Sequence, residues 1–359
     1  MVSPTGDDGA ADGSGAPTEP SEVAVAIDEY GDVLADAIES ALAGRSGVVA
    51  VGVPLGLLPP VLAARKRTDD GEPWRIACRP GVVDALGRAF VLGTAVAESV
   101  AAGSIELRTL AGEAVSAADV PPAETPPRSL AFATPDRVDA VAGPCADRTL
   151  VSETGDATAV AARDAAMARF EAAAPAPVGM PSRTRLLAAA RETLDDRFAD
   201  DVAAVLDGLD YGAVGRVGAV TDRALLVALA ARHDHLFRDL RRWIDGERSD
   251  GDGPGSAGSG VDGAGPDGDR VAIAPGQELT GDRRALVARK LIESIKVPMG
   301  PGRPQFRLRA VDESLLRAEP TEVLSVLRGR FSLPLDEDGT LSRGPGEEGR
   351  RPVWDRRRR

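Results

Sequence analysis

An α/β N-terminal half followed by an α+β winged helix-turn-helix half is the architecture this sequence predicts. Three observations carry it. Short apolar runs alternate with helical patterns over the first 110 residues, which implies parallel strands joined by helices. From about residue 182 the periodicity becomes almost wholly helical. Three helical segments then end in a Gly and Pro cluster and a strand-like alternation, the order of a winged helix.

The elements follow in order. Residues 1–22 are dominated by Gly, Asp, Ser, Ala and Pro and read as a disordered acidic tail. The α/β regulatory or dimerisation domain spans 23–178. Its first helix is expected from Asp28 to Ala43, with Val33, Leu34, Ala37, Ile38, Ala41 and Leu42 at 3-4 spacing and Gly44 as its stop. A buried strand follows at Val48 to Val53, then a helix from Leu55 to Lys66 and a strand around Trp74 to Cys78. A single helix from Val82 to Ala101 and a strand at Ser104 to Leu110 complete the repeat. After the Ala and Pro rich stretch 114–127, Ser129 to Thr134 and Arg148 to Ser152 read as two strands forming a hairpin-like pair. An alanine-rich helix is expected at Ala157 to Ala173, closed by Pro175 and Pro177.

Residues 179–215 are expected to hold connecting helices, one capped by Ser182 and running to about Phe198, the other from Asp200 to Leu209. The winged helix-turn-helix domain then covers 216–332. Its first helix is capped by Thr221 and ends near Arg232, and its second runs from Asp234 to Asp245. The third is expected from Thr280 to Ile295, burying Leu286, Val287, Leu291 and Ile292. The segment 246–276, rich in Gly, Asp, Ser and Pro, reads as a disordered insert; closure entropy grows only logarithmically with loop length, so such an insert costs little. Phe306, Leu308 and Ala310 alternate with Arg307 and Arg309 in a half-buried strand. Residues 333–359 read as a disordered tail ending in Arg356 to Arg359.

The charge balance narrows the function. Lys and Arg number 43 against 56 Asp and Glu, a formal charge of −13, and only Lys66, Lys290 and Lys296 are lysines. A carboxylate-rich, lysine-poor surface suits a protein kept soluble in concentrated salt, so acidity alone says little about partners. The first residues lack the basic start and apolar run of a signal peptide, and no apolar stretch approaches a membrane span, so a cytoplasmic protein without a membrane partner is expected. Two cysteines, Cys78 and Cys145, are too few for a disulfide framework or a thiolate metal site.

Catalytic and cofactor chemistry finds no residues to carry it. His233 and His235 are the only histidines, and i, i+2 spacing on a helix points them apart, a poor metal pair. The run Gly52-Val-Pro-Leu-Gly56 after the first strand lacks a phosphate-loop lysine and the dinucleotide glycine pattern, and reads as a tight turn. No nucleophile elbow with a triad can be assembled. The expectation is a non-enzyme with no cofactor and no metal.

The most specific signal lies between Thr280 and Arg309. Eight basic residues, Arg283, Arg284, Arg289, Lys290, Lys296, Arg303, Arg307 and Arg309, face only Asp282 and Glu293 there, a local reversal of sign within an acidic chain. Arg283 and Arg284, near the start of the third helix, are the base-reading candidates, since a guanidinium bridges O6 and N7 of guanine in the major groove. Arg289 and Lys290, further along, suit backbone contact, and Thr280, where the helix is expected to start, is counted with the DNA-binding residues. Arg303, between Gly302 and Pro304 at the wing tip, suits a phosphate or the minor groove.

The run Lys290-Leu-Ile-Glu-Ser-Ile-Lys296-Val-Pro298, then Gly302-Arg303-Pro304 and Phe306-Arg-Leu-Arg309, resembles the recognition helix and wing of the haloarchaeal TbsP-type transcriptional regulators. The order of elements from about 28 to 330 is similar to theirs, and the chain departs from them in the 246–276 insert and the long acidic extension. The resemblance implies a cytoplasmic DNA-binding regulator with a non-enzymatic N-terminal domain. The expected function is a sequence-specific transcriptional regulator of metabolic genes, a homodimer on promoter or operator DNA, whose α/β half mediates dimerisation or senses a small-molecule effector. The alternative is a protein-interaction adaptor with a degenerate winged helix.

Overall fold

The computed structural model describes residues 30–69, 71–111, 130–143, 148–211, 220–245, 276–298 and 304–333. The two tails, the insert before Gly276, Cys145 and the wing tip with Arg303 lie outside the described residues. The first half is a seven-stranded mixed sheet in the order β6-β5-β4-β1-β2-β3-β7. Helix α1 (Gly31–Leu42) precedes three parallel strands, β1 (Val49–Val53), β2 (Trp74–Cys78) and β3 (Ile105–Thr109), which are linked by α2 (Leu58–Lys66, after a 3-10 turn Leu55–Leu57), α3 (Val82–Leu86) and α4 (Phe90–Ala101). Every residue of β1 is buried because the sheet is covered on both faces. Ala50 and Val53 pack with Ile38, Leu62 and Val96 on one side, and Val49 and Val51 with Phe170 on the other. The switch of face occurs at Gly52, whose φ of 81° sits at a register shift in the pairing with β2.

Three differences from the expected pattern have local causes. The Val82 to Ala101 segment is two helices, interrupted at residues 87–89. There α4 turns back so closely on α3 that a Cβ at Gly93 would lie 2.2 Å from the Leu86 carbonyl oxygen. The expected hairpin of two strands is a three-stranded meander: β5 (Val138–Ala142) lies between β4 (Ala131–Ala133) and β6 (Thr149–Glu153), antiparallel to both. Buried Asp139 on β5, paired with Arg137 and bonded by Ser152, hides the apolar alternation that would have marked a strand. A two-residue strand β7 (Ala174–Pro175), after α5 (Asp156–Ala172), closes the other edge against β3.

The second half is helical. Helices α6 (Arg183–Thr193) and α7 (Asp196–Gly208) are capped by Ser182 and Asp195, so the break falls at 194–195 and the first of the two ends earlier than expected. They do more than connect. Leu186, Phe198, Val202 and Val205 share one apolar core with α8 (Asp222–Arg232) and α9 (Phe237–Asp245). Trp243 of α9 donates its indole N–H to the Leu186 carbonyl at 3.2 Å and meets Phe198 edge-on. Helix α8 is the axis of this core, with Ala224 to Ala231 all buried, and its Thr221 cap forms as expected. No described helix is long and apolar enough to cross a membrane.

Candidate nucleic-acid interface

Helix α10 (Gly276–Ala288) is followed by β8 (Ile292–Val297) and β9 (Gln305–Ala310), an antiparallel pair in register from Ile292 opposite Ala310 to Val297 opposite Gln305. The expected helix through Ile295 is therefore corrected: it ends seven residues sooner. Lys290 adopts φ 57°, its N–H bonds the Val287 carbonyl, and that left-handed residue turns the chain from helix to strand. Ile292 and Ile295, three apart, fit a helical period, whereas Ile295 and Val297, two apart, fit a strand, and the ladder with β9 decides between them. Leu291 and Ile292 are buried as expected, but in the wing rather than the helix.

Ahead of α9, Leu236 bridges to Arg307 and the Leu308 N–H bonds the His235 carbonyl at 2.9 Å, adding a third short strand segment to the wing. This is why α9 begins at Phe237 rather than Asp234. Asp234 itself has φ 58°. Helix, short strand, helix, helix and two strands, followed by α11 (Glu313–Arg317) and α12 (Val323–Phe331), form the winged helix-turn-helix.

The candidate residues divide into two groups. Arg283 turns inward: its guanidinium carbon lies 4.9 Å from the ring centroid of Phe237 and 4.5 Å from that of Phe306, and it donates to the Ser294 hydroxyl. Burial, then neighbouring Arg284, lowers its pKa. Arg289 lies 4.0 Å over Phe331 of α12 and donates to the Ala285 carbonyl, and burial lowers its pKa too. Thr280 is half-buried within α10, one turn past its start, and Arg307 is half-buried on the middle strand of the wing. Facing out are Arg284 on α10, Lys290 at its end and Lys296 on β8, none with an ion pair among the described residues. Arg309 is exposed and bonded to Asp234 at 2.9 Å, which raises its pKa.

Sequence periodicity missed two neighbours of Arg284. Val287, expected in the core, is 38% exposed, and Gly281 has nothing within 4 Å of where a Cβ would stand. Gly281, Arg284 and Val287 recur at i, i+3, i+6 and so share the outward face of α10, while Leu279 and Leu286 occupy the inward one. The signal that places Val287 outside is the i, i+7 pair Leu279 and Leu286. Asp282, one of the two acids of this helix with Glu278, is withdrawn from the surface by the Thr221 hydroxyl and the Arg223 Nε, each at 2.9 Å. Among the described side chains the outward face therefore carries a cation, an apolar side chain and a glycine, the set that contacts guanine edges, thymine methyls and a closely approaching backbone.

The histidines stand at the end of α8, His233 bonded to Asp201 at 2.9 Å and His235 3.4 Å from Asp195. Burial lowers the His235 pKa against the opposing pull of Asp195. Among the described residues no group of three or more His, Cys, Asp or Glu is placed to hold a metal ion.

Comparison with known families gives two matches. Residues 28–181 match the model of the N-terminal domain of TbsP-like transcriptional regulators, and residues 266–328 match that of the TbsP-like C-terminal helix-turn-helix domain. Together they span more than half of the chain. No curated protein and no solved structure matches it significantly.

Proposed function

We propose, from the premise that this chain belongs to the TbsP-like transcriptional regulators, that its DNA-binding activity is sequence-specific and regulates promoters of metabolic genes. The recognition surface is the outward face of α10. Arg284 reads a guanine edge, Val287 packs on a thymine methyl, and Gly281 lets the helix sit close to the groove. Lys290 and Lys296 contact phosphates, and Arg303 extends the wing to a phosphate or the minor groove. Arg283, Arg289 and Thr280 act behind that surface, fixing the helix and wing that present it. Arg307 and Arg309 support the wing sheet and its flank. Two copies bind together, because a two-fold operator needs two recognition helices at one helical turn of separation.

The observation that carries this reading is a local excess of cations from α10 through β8, in a chain that is acidic as a whole. In a chain of net charge −13, Arg283, Arg284, Arg289, Lys290 and Lys296 stand here against Glu278, Asp282 and Glu293; Asp282 is tied inward, while Arg284, Lys290 and Lys296 are exposed without an ion pair among the described residues. Chromatin immunoprecipitation with sequencing of the tagged protein tests it, followed by footprinting of the recovered promoter with the wild type and Arg284→Ala. Sharp peaks sharing one motif are expected, with Arg284→Ala weakening the specific site by about 1–3 kcal/mol. A flat profile, and retention of a stoichiometric protein partner in its place, would favour an adaptor.

A further inference from the structure

A cleft of about 830 Å³ lies between the two halves of the molecule. One wall is the back of α1, with Asp32, Ala35 and Glu39, and the next is the back of α2, with Pro59, Ala63 and Lys66. The third is the last turn of α7 and the residues after it, with Leu206, Asp207, Asp210 and Tyr211. Arg183, the first residue of α6, closes one end. The volume is that of a metabolite site, and the Pro, Ala and Leu side chains supply an apolar lining.

The charges of the cleft favour a cation. Glu39 is paired with Arg67, and Arg183 with Asp207 at 3.2 Å. That leaves Asp32 and Asp210 without an ion pair among the described residues, against Lys66 alone. The α7 helix ends at Gly208 beside the cleft, and a helix C-terminus carries partial negative charge. Lys66 shows the binding mode: its ammonium sits 5.5 Å from the Tyr211 ring centroid, an alkylammonium on an aromatic face.

The cleft is joined to α10 by a short series of polar contacts. Arg183 donates to the Val91 carbonyl of α4 at 3.4 Å. The first N–H of α4, on Phe90, bonds the Asp222 carboxylate at 2.8 Å. The flanking residues Thr221 and Arg223 hold Asp282 of α10, two residues before Arg284 in the chain. Arg183, held at the cleft by Asp207, is thus a residue that touches both the cleft and α4.

We infer that this cleft is an effector site for a small organic diamine or polyamine, and that its occupancy changes the operator affinity of α10. The coupling half of this inference rests on the DNA-binding reading above; the binding half does not. Calorimetric titration of the full chain, free of DNA, with putrescine and with spermidine tests the site, and citrate is the anionic control. Saturable 1:1 binding of an amine is expected, weakened at least tenfold in Asp32→Asn/Asp210→Asn with an unchanged melting temperature. Both changes are exposed and leave the fold intact. No saturable binding, equal binding by the variant, or preference for citrate would overturn the site. Anisotropy with the immunoprecipitated promoter fragment then tests the coupling. Wild type should show an operator affinity that shifts with putrescine, and the double variant the same basal affinity without the shift. An equal shift in both proteins would mean that the amine acts on the DNA, and would overturn the coupling. Amine binding by a chain that never binds DNA would leave the site standing and sink the regulator reading.

Discussion

Asp222 offers the sharpest quantitative test, because its carboxylate is shielded from solvent at the seam between the halves. Its Oδ2 accepts the N–H of Phe90, while Oδ1 has no hydrogen-bond partner. Burial outweighs that bond and the attraction of Arg223, pushing the carboxyl up from 3.8 to about 6. At about 1.4 kcal/mol per pH unit, this difference is worth about 3 kcal/mol. The sign follows from proton uptake. Between pH 4 and 6 the folded chain holds this proton more tightly than the unfolded chain, so the contribution is complete below about 3.8 and lost as pH rises through about 6. Asn at 222 keeps an acceptor for Phe90 and cannot ionise. Urea unfolding of wild type and Asp222→Asn across pH 4 to 8 should therefore show near-equal stability at pH 4 and a variant more stable by about 3 kcal/mol at pH 8. Other titrations cancel in the difference. Parallel curves, or a wild type that gains on the variant with rising pH, would refute the reasoning, because the bond from Phe90 and the charge of Arg223 would then outweigh desolvation.

Three further outcomes are expected. Arg283→Met keeps an unbranched apolar stem but loses the charge held between Phe237 and Phe306, so denaturant unfolding should show a loss of about 1–3 kcal/mol, while operator base preference, read by competition with mutated sites, stays unchanged. Lys290→Gly relieves a left-handed non-glycine residue and should stabilise the fold by about 1 kcal/mol in the same assay, yet weaken DNA binding uniformly across sequences and flatten its salt dependence. Cys78 is buried and its thiol is pushed up to about 12, so iodoacetamide at pH 8 should leave the Cys78 peptide unmodified in native protein and alkylate it once urea unfolds the chain.

Elements set by local pattern were readable in the sequence. Strand Trp74–Cys78 falls where its apolar run lies, and the α8 helix begins at its Thr221 cap. Features set by distant partners were not. The interruption before Phe90 is stabilised by a carboxylate 132 residues away in sequence. The β5 strand is written around a buried acid that only Arg137 and Ser152 make tolerable. The same holds for the interface. The basic stretch from Thr280 to Arg309 was visible as composition, but which arginines face outward depends on Phe237, Phe306 and Phe331, aromatic residues outside α10 that draw Arg283 and Arg289 inward.

The all-round burial of α8 also governs how this protein can be dissected. A fragment starting at residue 216 would keep all of its candidate DNA-contacting side chains, yet strip from α8 the cover given by Leu186, Phe198, Val202 and the Phe90 end of α4. Such a fragment exposes an aliphatic helix flank and invites aggregation. The reading head is not a cassette that can be cut out and grafted elsewhere; deletion mapping or domain exchange has to carry α6 and α7 with it and supply a substitute for the first turn of α4.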